Sequence, residues 1–115
     1  MTAASSSVTF TGVIPPVATP LLPDGTIDHV SLERLVERLI AEGVSGLFAL
    51  GSTGETAYFT DDQRVELLTT IVRVNAGRVP IIAGAIELTA PRIIETARRL
   101  AVSYTHLTLP TTPYV

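Results

Sequence analysis

The chain is predicted to be an α/β fold, with short buried strands alternating with helices on a parallel sheet. Three observations predict it. Two apolar runs, Val44 to Leu50 and Val79 to Ala83, have the continuous hydrophobic character of strands covered on both faces. The segments between such runs carry apolar stripes at helical spacing. The landmarks also recur 34 residues apart: Gly12, Gly46 and Pro80 at the strand starts, and Gly43 and Gly77 at the helix stops. Repeated strand–helix units of this kind build a parallel sheet through crossover connections. The pattern leaves two architectures open, an open doubly wound sheet and a closed barrel.

Residues 1–10 are rich in Ser, Thr and Ala and are expected to be a flexible N-terminal segment. They lack the basic start and apolar run of a secretory signal. Gly12 to Ala18 is expected to be a short irregular strand, since Pro15 and Pro16 suit an edge or a bulge. Leu22-Pro23-Asp24-Gly25 is turn chemistry.

Asp28 is placed as the N-cap of a first helix running to Glu42, with Leu32, Leu35, Val36, Leu39 and Ile40 on one stripe and Gly43 as its stop. After the second strand, Thr60 and Gln63 form a capping-box pair opening a second helix. That helix runs to about Ala76, buries Val65, Leu68, Ile71 and Val72, and stops at Gly77. Val79 to Ala83 is the third strand. Thr89 is placed as the cap of a third helix, with Pro91 in its first turn. Its stripe is Ile93, Ile94, Ala97, Leu100 and Ala101.

Composition narrows the function. The chain has 115 residues, 46% of them hydrophobic, which is enough for one small domain with a core. A net charge of −3 argues against nucleic-acid and membrane partners. No apolar run nears the ~20 residues of a membrane span. With no cysteine there is no disulfide and no thiolate chemistry, in keeping with a cytoplasmic location. No lysine is present either, since all eight basic residues are arginines, so any step needing a lysine amine is closed to these residues. No metal and no cofactor is expected.

The segment carrying chemistry is Gly51-Ser52-Thr53-Gly54-Glu55, between the second strand and the second helix. It lies at a strand's C-terminal end, where both candidate architectures bind ligand. Gly51 and Gly54 support a turn that lets a ligand approach the backbone. Ser52 and Thr53 offer hydroxyl and backbone donors suited to a carboxylate or phosphate. Nucleotide binding fits poorly: the spacing is G-x-x-G rather than G-x-G-x-x-G, and a P-loop needs a lysine. Glu55 reads as a structural charge or a helix-start carboxylate. Thr19 is expected to hydrogen-bond near the mouth of the site, His29 to be solvated, and Tyr58 and Phe59 to pack.

The 34-residue rhythm breaks after Ala101. A fourth unit needs a glycine near position 111, but Val102 to Val115 holds no glycine, no acidic or basic charge, two prolines and several threonines. Val102 to Thr111 back-translates as GTC TCT TAT ACA CAT CTG ACG CTG CCG ACG. That string matches a transposon-end adapter used in sequencing libraries. The flanking Ala101 and Thr112 fit the adapter's neighbouring bases. Residues 102–115 are therefore expected to be a non-native tail, and 11–101 the domain proper.

Four motifs carry a family resemblance: Ala18-Thr19-Pro20; Asp24-Gly25 followed by Ile27-Asp28; Gly51 to Glu55; and Pro80-Ile81-Ile82-Ala83-Gly84. In order and spacing they resemble the dihydrodipicolinate synthase / N-acetylneuraminate lyase family, over about Phe10 to Ala101. The resemblance selects the barrel. It implies that residues 11–101 are the first three βα units of a truncated TIM (β/α)8 barrel, whose full-length parent is commonly a homotetramer. It implies a class I aldolase-type lyase or synthase acting on pyruvate or another 2-keto acid through a lysine Schiff base, with a tyrosine proton shuttle. Dihydrodipicolinate synthase-like activity is the first expectation. Sialic acid lyase and 2-keto-3-deoxy sugar acid aldolase or dehydratase are the alternatives.

The resemblance further implies that Ser52 and Thr53 bind the keto acid's carboxylate, that Gly51 and Gly54 support their turn, and that Ser52 is a possible proton-relay member. The Schiff-base lysine and relay tyrosine fall beyond Ala101, and Tyr58, Tyr104 and Tyr114 do not match them, so the chain alone is expected to be inactive. Asp61 and Arg64 stand where some bacterial synthases have histidines, which speaks against lysine regulation. A rival of another class is a non-catalytic small domain binding an anion through the Ser52-Thr53 turn.

Overall fold

Two prolines decide how the chain enters its sheet. In the structure, a computed structural model that describes residues 10–103, the predicted first strand is reduced to one parallel bridge, Pro16 to Phe48. Val17 N–H donates to the Phe48 carbonyl at 2.8 Å, and Phe48 N–H donates to the Pro15 carbonyl at 3.0 Å. The preceding rung would need an N–H at Pro15, which has none. The expected strand at Gly12 to Ala18 is thus corrected to a single rung, because proline cannot donate where the ladder requires it. The expected N-terminal segment falls on residues outside the described ones, except for Phe10, and so does most of the expected tail.

After this rung a small antiparallel turn forms. Leu21 bridges Ile27, Gly25 adopts φ +89°, and Asp24 accepts from both the N–H and the hydroxyl of Thr26. The first helix, α1, spans His29–Ala41, capped by Asp28, whose side chain accepts from the Ser31 N–H. The first strand proper, β1, is Leu47–Ala49. A single 3-10 turn covers Thr56–Tyr58. Helix α2 spans Asp61–Asn75, strand β2 is Ile81–Ala83, and helix α3 spans Ala90–Ser103.

The expected repeat is realised in the register. β1 and β2 are parallel, with Leu47 opposite Ile81 and Ala49 opposite Ala83. Gly43 and Gly77 both take positive φ at the helix ends. At the second end Ala76 is left-handed as well, so α2 stops one residue earlier than its glycine suggests.

One face of the two strands meets the helices. Leu47, Ala49, Ile81 and Ala83 are buried against Leu32 and Val36 of α1, Leu67, Leu68 and Ile71 of α2 and Leu100 of α3. Phe48 and Ile82 point to the other face and are only half-buried. α2 packs between α1 and α3.

The helical stripes hold in part. Leu32 and Val36 are fully buried. Val65 and Val72 are half-buried against the core and Leu67 joins it fully buried, so the buried face of α2 is wider than expected. Ile94 is half exposed. Asn75 is almost fully buried at the end of α2. Its amide donates to the Val79 carbonyl at 2.8 Å and accepts from the Val79 N–H at 3.1 Å, pairing both backbone groups of the loop into β2.

His29 keeps 39% of its side chain exposed, in line with the solvated residue expected, and is bonded as well. It lies 2.9 Å from the Thr70 hydroxyl through Nδ1, linking α1 to α2.

Candidate functional site

The site begins where β1 ends. Leu50 follows the strand with φ 61°, a left-handed conformation unusual for leucine. The bend presents the Leu50 carbonyl to the residue just after β2, where only a glycine fits: a Cβ on Gly84 would stand 2.5 Å from the Leu50 oxygen. Gly51 is enclosed by the Phe48 ring, 2.9 Å from where its own Cβ would be. Gly54 is enclosed by the Val17 carbonyl at 3.0 Å in the same sense. Both glycines are buried, while Ser52 and Thr53 between them are exposed. The two sides of the motif thus separate: the glycines seat the turn on the sheet, and the hydroxyl residues face outward.

Three contacts hold the turn. Thr19 Oγ1 donates to the Gly54 carbonyl at 2.7 Å. Thr56 N–H donates to the Gly51 carbonyl at 3.4 Å, and Glu55 N–H to the Ser52 carbonyl at 2.9 Å. Among the described residues, the N–H groups of Ser52, Thr53 and Gly54 meet no backbone acceptor. The exposed Ser52 and Thr53 therefore carry hydroxyl and N–H donors that an anion's oxygens could take up. Thr19 therefore bonds at the site mouth, as expected.

Glu55 is exposed with φ 58°, and its side chain caps no N–H of the 3-10 turn. Phe59 is buried, and Tyr58 packs edge-on against it at 5.1 Å. The Tyr58 hydroxyl reaches the Gly25 carbonyl at 3.4 Å.

The sequence reading missed an ionic cluster beside this turn. Arg64 is buried in the first turn of α2. Its Nε donates to the Thr56 carbonyl at 3.0 Å, and its Nη1 pairs with the Glu87 carboxylate. Thr96 donates to the same Glu87 oxygen at 2.8 Å. Arg92 lies 3.5 Å from both Glu87 and Asp61. Burial pushes the Glu87 carboxyl upward, but the Thr96 hydrogen bond and the Arg64 guanidinium outweigh it, so its pKa lies below the ordinary glutamate value. The missed signal was an arginine inside the first turn of a helix, at its positive end, where a cation is disfavoured unless anions surround it.

Among the described residues no group of three His, Asp or Glu side chains gathers as a metal site, and no helix is long and apolar enough to cross a membrane.

The fold and motif find relatives. The model of the Dihydrodipicolinate synthetase family matches residues 9–114. A 4-hydroxy-tetrahydrodipicolinate synthase of Xanthomonas axonopodis pv. citri is 39% identical over 109 residues, covering 94% of this chain and 36% of that protein. The crystal structure of a chloride-inhibited dihydrodipicolinate synthase from Acinetobacter baumannii, complexed with pyruvate, superposes with a TM-score of 0.81 at 34% identity, over 84% of this chain and 33% of that one. An N-acetylneuraminate lyase from Mycoplasma synoviae superposes with a TM-score of 0.74 at 28% identity, over 83% and 33% of the two chains. This chain spans about a third of the length of the curated relatives it matches.

Proposed function

The chain belongs to the dihydrodipicolinate synthetase family of TIM-barrel proteins, and from that premise we propose that its Ser52-Thr53 turn is the carboxylate-binding part of a 2-keto acid site. The observation that carries this reading is the pair of exposed residues after β1, Ser52 and Thr53, whose hydroxyls and N–H groups meet no acceptor among the described residues, on a turn seated by two buried glycines. A small carboxylate such as pyruvate matches it in charge and size. The pyruvate held by the Acinetobacter relative supports the choice of ligand.

The whole protein acts as a lyase or synthase through a lysine Schiff base, of dihydrodipicolinate synthase type, with Ser52 in reach of a proton relay. It assembles as a tetramer. Residues 1–115 contain no lysine, so they bind the keto acid without activating it.

Borohydride reduction with pyruvate tests this. Residues 1–115 should give no covalent adduct, while pyruvate should shift the amide resonances of Ser52, Thr53 and Gly54. A stable adduct would overturn the division of labour. Unmoved resonances would overturn the carboxylate assignment.

A further inference from the structure

Arg64 occupies a position that is unfavourable twice over. It is a buried cation, and it lies at the positive end of α2. A buried Arg–Glu pair is often no more stable than two apolar side chains of similar volume, so stability alone does not account for it. Its contacts suggest what does. One guanidinium edge donates to the Thr56 carbonyl, immediately after the Gly51 to Glu55 turn. The other meets Glu87, which lies past β2 and is itself held by Thr96 of α3. Asp61 adds a second carboxylate 3.7 Å away.

We propose that the Arg64–Glu87 pair is a positioning device that ties the ligand turn after β1 to the loop after β2, fixing Thr56 and hence the Ser52-Thr53 donors for a carboxylate. Thr56 N–H closes the turn onto Gly51, so holding its carbonyl holds the turn's far end. Arg64 and Glu87 themselves touch no substrate in this scheme. The link to ligand binding rests on Ser52 and Thr53 being the carboxylate site proposed for this family member.

The test uses the full chain carrying R64M together with E87M, which replaces both buried charges by apolar side chains. Its thermal midpoint should stay near the wild type. Amide exchange at Thr56 should quicken at least about tenfold, with Leu68 and Ile71 in α2 unchanged. Pyruvate, titrated by NMR, should bind about fivefold or more weakly. R64K is the second variant. It keeps the charge but lacks the fixed planar fork whose Nε and Nη1 reach Thr56 and Glu87 separately, so it should show the same quickening in a folded chain.

Unchanged Thr56 exchange in either folded variant overturns the positioning role. Quickened exchange with unaltered pyruvate affinity overturns its link to binding. If pyruvate fails to bind the wild type, the carboxylate reading falls, and the exchange data still decide whether the pair positions the turn.

Discussion

The Thr19 hydroxyl donates to the Gly54 carbonyl at 2.7 Å across 35 residues of sequence, joining the segment after the chain's first rung to the Gly51 to Glu55 turn. Both residues are buried. Thr19→Val keeps the shape but leaves the Gly54 oxygen without its donor, which costs about 1–3 kcal/mol. Thr19→Ser should recover most of it. Urea unfolding followed by circular dichroism checks the order, and a Thr19→Val variant as stable as wild type would contradict it.

Gly84→Ala should be among the most damaging single-methyl additions. The new Cβ would stand 2.5 Å from the Leu50 backbone oxygen, which is not the tip of a flexible side chain. Overpacking of this kind costs about 1–3 kcal/mol. At Gly43 no atom lies within 4 Å of the new Cβ, and only the positive φ opposes it, so Gly43→Ala should cost about 1 kcal/mol. Comparing the two thermal midpoints separates steric from conformational cost.

Thr60→Ala should cost about 1 kcal/mol by opening the capping box of α2. Thr60 Oγ1 accepts from the Gln63 N–H at 3.2 Å, and Gln63 Oε1 accepts from the Thr60 N–H at 2.9 Å. Leu68→Ala, by contrast, empties a fully buried core position and should cost about 2–5 kcal/mol. Denaturant midpoints for the two variants test the ranking.

Acid should destabilise the α2–α3 side through Glu87. Its folded pKa lies below the ordinary 4.5, so the unfolded chain takes up the proton first as pH falls. The stabilisation is therefore complete above about 4.5 and is lost as pH drops through the lower folded value. Glu87→Gln should flatten this part of the stability profile. Thermal midpoints measured from pH 7 downward, in steps of about half a unit through the carboxylate range, provide the check. An unchanged acid limb would count against Glu87.

Genomic sequencing across codon 101 should depart from this sequence at residue 102. α3 continues through Ser103 and the family match continues to residue 114, so the read also decides whether those positions are native. A genomic read that encodes Val102 to Val115 unchanged would end the adapter explanation.

Much of this protein was legible in the residues because much of it is local. A cap acts on an N–H two or three residues away, as Asp28 and Thr60 do, and a helix stop is one backbone angle, as at Gly43. The 34-residue rhythm reappears as the pairing of Leu47 with Ile81. The turn from Gly51 to Glu55 was legible because a strand end, two glycines and two hydroxyl residues are contiguous. What the tertiary structure alone decided involves partners far apart in sequence. Arg64 finds Glu87 across 23 residues, Thr19 finds Gly54 across 35, and His29 finds Thr70 across 41. That Leu67 is fully buried and Val65 only half-buried depends on how α2 packs between α1 and α3. Such choices are settled when buried polar groups must be paired and buried volume must be filled together, and no local pattern records either requirement.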